Sequence, residues 1–276
     1  MSITARFTRP ANVDIRIRHP ELDLSETPRY WFDHSPAKTH LFNALSSTFP
    51  EGEAFFIRSV LHFRKQITDP VLLEEIKKFS GQEGVHSHHH DQHMQLLLDQ
   101  GYVRLAGVNR IMGKVTRWFN RNFPKYSLAV TLSIEHITAI FGHRLLAHPE
   151  LFLEPAHPEM KKLWAWHASE ELEHKAVAFD VYQAIGGSYW LRVMAMLHVS
   201  SGMFLEFFMR SAYMLTKDEE FWKWRNLKES ASFAWGRHGV FGPTWREYLK
   251  FFRRDFHPWQ QDDSGLLLQP QANFSN

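Results

Sequence analysis

A chain of 276 residues that is 44% apolar and 22% charged has the balance of a globular protein able to bury a core. Its formal net charge of +2 excludes the concentrated basic face expected of a nucleic-acid binder. The absence of cysteine excludes disulfides, thiolate metal sites and cysteine nucleophiles together, so any metal must be held by imidazole and carboxylate, for which eighteen histidines provide ample material. The same absence fits a reducing compartment, and the first twenty residues lack the continuous apolar run of a secretory signal, so the expected location is cytoplasmic.

Taken in chain order, residues 1–35 alternate briefly at Val13, Ile15 and Ile17 and carry several prolines, which predicts a wrapping arm with at most a short extended segment. From Pro36 the pattern changes to long runs with apolar residues at three-and-four spacing. A first long helix is expected over 37–67, bent or restarted near "FPEGE". A second runs from an Asp69-Pro70 start to a stop before Gly101. A shorter helix over 108–119 bridges to a third long helix over 125–147, and a fourth covers 159–185, ended by Gly186-Gly187. No strand is required, and the expected fold class is all-α: a four-helix metal-binding bundle over 36–187 in one domain of residues 1–276, with a helical extension over 188–276.

The extension opens with "SYWLRVMAMLHVSSGMFLEFFMRSAYML", long and apolar enough to ask about a membrane span. Arg192, His198, Glu206 and Arg210 interrupt it, and charges at that depth are costly in lipid, so a buried core helix or a hydrophobic lid is expected. The tail "WREYLKFFRRDFHPW" reads as an amphipathic helix packed on the domain, with surface attachment to a membrane as the second reading.

The sharpest chemical signal is "WHASEELEHK" in the fourth helix. At 100° per residue Glu171 lies about 40° from His167 and His174 about 20° on the other side, so three donors share one stripe. Glu170 sits at its edge, about 60° off, as a rival or neighbour of Glu171, whereas Glu173 points about 120° away to a face expected to be solvated. In the second helix, "GQEGVHSHHHDQH" pairs Glu83 with His86 on one face. His90 returns near Glu83 and could support a ligand, His93 leans toward His86, and His88 and His89 turn outward.

Two Glu-x-x-His pairs call for a glutamate from each of the other two helices. Glu53 shares its stripe with Phe56, Ile57 and Val60, where a lone carboxylate is expensive to desolvate, while Glu51 faces away. Glu135 shares a stripe with Leu128, Thr131, Thr138, Ala139 and Gly142, and its small neighbours suggest a ligand beside a cavity. His136 and His143 lie about 80° to 100° from it, off the site. Four carboxylates with imidazoles and no sulfur suit iron or manganese better than zinc, and four anionic glutamates neutralise two divalent ions. The expected cofactor is therefore two iron ions, with manganese or zinc as alternatives.

The blocks "YWFD", "HLFNALSSTFPEGEAFFIRSV", "FSGQEGVHSHHH", "LSIEHITAIFG" and "LWAWHASEELEHKAVAFDVYQAIGG" together resemble the predicted metal-dependent hydrolase family of bacteria, over most of the chain. The His-x-x-x-Glu-x-x-His pattern at His167, Glu171 and His174 is similar to that of the ferritin-like di-iron arylamine N-oxygenases. That resemblance implies a seven-ligand site of Glu53, Glu83, His86, Glu135, His167, Glu171 and His174.

Three functions follow as expectations. The first is a non-haem di-iron oxygenase or oxidase that uses O2 and an electron-donor protein to oxidise a small aromatic or aliphatic substrate, with the apolar segment after Gly187 lining its pocket. The second is a dinuclear metal-dependent hydrolase. The third is metal binding without turnover. A homodimer and a peripheral membrane contact are both compatible with the sequence; nucleic acid is not an expected partner.

Overall fold

In a computed structural model, which describes residues 9–268, the chain is all-helical; among the described residues the one β-type contact is an isolated bridge between Phe32 and Ala156. Its helices are α1 (Pro36–Ser46), α2 (Phe49–Phe63), α3 (Pro70–Asp99), α4 (Arg104–Asn122), α5 (Pro124–Ala147), a single turn α6 (Pro149–Phe152), α7 (Pro158–His174), α8 (Val177–Ala184), α9 (Tyr189–Lys217), α10 (Trp224–Trp235), α11 (Trp245–Lys250) and α12 (Ser264–Leu267). Residues 1–8 of the expected arm and 269–276 of the expected extension lie outside the described residues.

Local chemistry explains most of the boundaries. Asp69 accepts from the Val71 backbone N–H at 2.9 Å and Pro70 occupies the first turn of α3. At the other end Gly101 takes φ +100°, a left-handed conformation suited to glycine, and the Tyr102 N–H donates to the Leu97 carbonyl at 3.0 Å. The expected restart near "FPEGE" is a break between α1 and α2 at Ser47 and Thr48, just ahead of Pro50, which lacks an N–H to continue the ladder. The expected fourth helix is not continuous: it breaks at Lys175 and Ala176. Lys175 is buried there, with its ammonium 2.6 Å from Asp263 and 4.3 Å above the Trp259 ring.

Helix α2 packs along α3 and α5 along α7, with α2 against α5 and α3 against α7 and α8 closing the arrangement. The small residues near Glu135 serve this packing in part: a Cβ at Gly142 would lie 2.9 Å from the Ala168 carbonyl oxygen, so glycine is what lets α5 approach α7. Among its described residues the arm is irregular and joins no sheet, its one β-type contact being the Phe32 bridge to Ala156. Val13 and Ile15 are buried, and Ile17 lies over Gly81 of α3, where a Cβ would overlap it.

Helix α9 corrects an expectation. Its inner side packs on α1 and α5, and its C-terminal end is pinned where Asp218 accepts from Tyr102 at 2.7 Å and pairs with Arg29 and His40. Only 22% of its most apolar stretch is buried, so it is not a core helix; its inner side forms one wall of an apolar cavity. Trp190, Met194, Leu197, Leu205, Phe208 and Met209 lie exposed on its outward face.

Buried histidines make this fold sensitive to acid. Burial holds His93 and His136 at about 3, below the ordinary value of 6.5. The unfolded chain therefore takes up their protons first, and their stabilising contribution is complete above about pH 6.5 and declines as pH falls toward 3. Urea denaturation of metal-free protein at pH 7 and pH 5 is expected to show a loss of about 2 kcal/mol for each such histidine, and His136→Asn to flatten the dependence.

Candidate metal centre

Four helices deliver seven donors to one buried place. Glu53 comes from α2, Glu83 and His86 from α3, Glu135 from α5, and His167, Glu171 and His174 from α7; none is more than 4% exposed. They form two groups whose donor atoms lie within 4.8 Å of one another, Glu53 with His86 and His167, and Glu83 with Glu171 and His174. Glu171 stands between them: its Oε1 is 3.2 Å from His167 Nε2, 3.6 Å from His86 Nδ1 and 3.5 Å from His174 Nε2. His174 Nε2 is also 3.1 Å from Glu83 and 3.3 Å from Glu135, which attaches Glu135 to the second group.

These residues fit a pair of metal ions. Both carboxylate oxygens of Glu53, Glu83 and Glu135, Oε2 of Glu171, Nδ1 of His86 and Nε2 of His174 are buried with no hydrogen-bond partner. Buried polar atoms are otherwise almost always paired, and a cluster of orphaned acceptors on one site is what cation ligands look like without the cation.

A surrounding layer sets which imidazole nitrogen faces inward. Gln82 donates through its amide nitrogen to Glu173 at 2.9 Å and to the Arg16 carbonyl at 3.0 Å, so its Oε1 is left to accept from His174 Nδ1 at 2.9 Å. That places the proton on Nδ1 and leaves Nε2 free toward the glutamates. His86 Nε2 donates to Glu170 at 3.0 Å, leaving Nδ1 free. His167 Nδ1 contacts His90 Nε2 at 2.9 Å, and Ser46 Oγ then bridges His90 Nδ1 at 2.8 Å and His93 Nδ1 at 2.7 Å. With His167 Nε2 as the donor to a metal, the bonds run one way, from His167 through His90 and Ser46 to His93.

The arm closes this layer. Arg18 places its guanidinium 3.2 Å from Glu170 and 2.7 Å from Glu173, and the backbone N–H groups of Arg16 and Arg18 donate to the same two carboxylates. This settles the position of Glu170, which turns outward to Arg18 and His86 while Glu171 turns inward. It also corrects the reading of Glu173 as solvated: the side chain is buried under the arm. His88 is exposed as expected, but His89 is buried against the Trp166 ring and bonded to Gln92. His136 and His143 lie off the site, the first bonded to the Glu247 carbonyl and the second to Asp263; Glu51 faces Arg117. Arg18 and Gln82 were missed from sequence, Gln82 being readable only from its place one position before Glu83.

Electrostatics accompany the geometry. Burial and neighbouring carboxylates push Glu53 and Glu83 well above the ordinary range, and burial brings Glu135 to about 7. Burial also opposes ionisation of Glu171 and His174, but mutual attraction outweighs it, holding Glu171 low and His174 high. Burial takes His86 to about 3 and His167 to about 4.

A family model described as a predicted metal-dependent hydrolase matches residues 16–262. No curated protein matches, and no solved structure matches.

Because burial raises the carboxyls of Glu53, Glu83 and Glu135 in the metal-free protein, cations compete with protons for them. Apparent affinity is therefore expected to rise with pH, with proton release measurable by titration calorimetry in buffers of different ionisation enthalpy. In elemental analysis Glu171→Ala is expected to lose the ion held with Glu83 and His174 and to weaken the other, because Glu171 belongs to that group and its Oε1 also lies 3.2 Å from His167 and 3.6 Å from His86, whereas Glu170→Gln should retain both with roughly tenfold weaker binding, as for other residues that orient a ligand.

Proposed function

Since the chain belongs to the predicted metal-dependent hydrolase family, we propose that it is a dinuclear metal-dependent hydrolase acting on a substrate with a large apolar part. The observation that carries this reading is the pair of buried His/Glu groups meeting at Glu171 with their acceptor atoms unpaired. Glu53, His86 and His167 would hold one ion, and Glu83, Glu171 and His174, with Glu135, the other. Two divalent ions supply Lewis-acid polarisation of a carbonyl or phosphoryl oxygen and an acidified water. The protein's own part is to balance charge, four carboxylates against two dications, and to keep the imidazoles in the correct tautomer through Glu170, Gln82 and His90.

An apolar cavity of about 290 Å³ adjoins these groups. Phe49, Gly52 and Phe56 of α2 and Ile134, Thr138 and Phe141 of α5 line it. Phe49 also stacks on His167 with ring centroids 4.7 Å apart, and Gly52 precedes Glu53, so substrate in this space would lie one side chain away from the donors. Such a wall seats hydrocarbon and excludes water.

A second reading is favoured by the donor set: four glutamates and three histidines, all buried, on four helices suit a ferritin-like di-iron oxidation centre taking O2 and electrons from a donor protein. One experiment separates the two. Under anaerobic conditions, zinc- or manganese-loaded protein is expected to hydrolyse at least one member of a panel of hydrophobic esters, amides and phosphate esters, with activity at least about a hundredfold lower in Glu171→Ala. No turnover of that panel, together with stoichiometric O2 uptake and a new optical band in the reduced iron-loaded protein, would replace hydrolysis by oxidation.

A further inference from the structure

The outward surface formed by α4 and α9 is unlike the rest of the molecule. Between Trp190 and Met209 the exposed positions of α9 are Trp190, Met194, Leu197, His198, Ser201, Gly202, Phe204, Leu205, Phe208 and Met209, without a lysine, arginine, aspartate or glutamate among them. The acidic residue of this helix, Glu206, is held by Arg210 at 2.6 Å.

Helix α4 is divided lengthwise. At 100° per residue Val108, Ile111, Val115 and Trp118 form one exposed apolar strip, and Arg110, Lys114, Arg117 and Arg121 form a second, about 110° to 130° around the axis. No aspartate or glutamate occurs anywhere from residue 100 to 134. The two helices meet as one surface: Trp118, Phe123 and Phe119 are in ring contact, Phe119 reaches Tyr126, and Tyr126 stacks on His198 of α9. Arg117 faces Glu51 of α2 at 3.5 Å, but the helix itself carries no acidic residue, and an apolar strip flanked by such a row of cations is the pattern of a helix lying in a bilayer interface, with tryptophan at its ends.

We propose that α4 and the outward face of α9 dock this protein on a lipid bilayer bearing anionic headgroups, with the apolar residues entering the acyl boundary and the α4 cations meeting the headgroups. The inner side of α9 stays packed on α1 and α5, so the helix lies along the membrane and does not cross it. Charge complementarity selects this occupant: the basic strip of α4 would repel the same strip on a second copy of the chain and attracts an anionic surface.

Docking also orients the cavity. Met112 and Thr116 of α4 and His198 and Gly202 of α9 line it, and all four belong to or border this surface. The apolar space beside the metal centre thus opens toward the membrane, and its substrate is drawn from the lipid phase; this last clause rests on the reading of the centre as catalytic.

The test is cosedimentation of the full chain with vesicles of phosphatidylcholine alone or mixed with phosphatidylserine, using metal-loaded and metal-free protein so that docking is judged apart from catalysis. The expected result is binding to the mixed vesicles in both metal states, at least about tenfold weaker to phosphatidylcholine alone and weakened by salt. A Leu197→Asp, Leu205→Asp, Phe208→Asp variant should lose binding to both vesicle types. These side chains are exposed, so the fold should persist, as checked by circular dichroism. A Lys114→Glu, Arg121→Glu variant should lose only the preference for phosphatidylserine. Absence of binding to either vesicle overturns the proposal. So does a dimer in light scattering that the α9 variant dissociates while wild-type protein ignores lipid, since the face would then belong to a second copy.

Discussion

Seven ionisable side chains packed into one dry volume impose the constraint that organises this molecule. Transferring even one unpaired charge into such surroundings costs several kcal/mol, and four carboxylates within reach of one another cannot all ionise without cations between them. Glu171 and His174 offset each other, but that single imidazole is all that faces Glu83 and Glu135 as well, and the oxygens of Glu53, Glu83 and Glu135 are left without a hydrogen-bond donor. The cheapest state of this site is one in which two positive ions take the place of the absent donors.

The surroundings of the site follow from the same constraint. An imidazole is a ligand through one nitrogen only if its other nitrogen carries the proton, and each of the three histidines has an outer partner: Glu170 for His86, His90 for His167 and Gln82 for His174. These partners are themselves buried and need support. Arg18 of the arm spans Glu170 and Glu173 with a planar fork of donors, a role that a lysine's point charge would fill less completely. An irregular segment of the chain is therefore seated by the chemistry of a site to which it contributes no ligand.

Hydrocarbon dominates the opposite side of the centre. Phe49 joins the two regions, stacked on His167 and lining the cavity that α4 and α9 roof. The roof has an apolar exterior as well as an apolar interior, and few soluble proteins leave an uncharged face of such length in water. A bilayer would satisfy that exterior, and the cavity beneath would then lie between lipid and the dehydrated donors.

The sequence by itself determined the helical class, the starts and stops at Asp69, Gly101 and Gly186, and the seven donors that the structure brings together. Each depends on local geometry, either a cap or the 100° advance that lines up Glu83 with His86 or His167 with Glu171 and His174. Residues whose roles depend on a partner far along the chain were decided only by tertiary structure. Glu170 and Glu171 flank His167 at comparable angles, about 60° to one side and 40° to the other, and Arg18, some 150 positions away, holds the first outward while the second turns in. The same guanidinium buries Glu173, which periodicity assigned to solvent. The break at Lys175 needs Asp263, and the exposure of α9 depends on how much of its apolar circumference α1 and α5 can cover. Periodicity reports that a face is apolar; only the assembled fold shows whether another part of the chain is available to cover it.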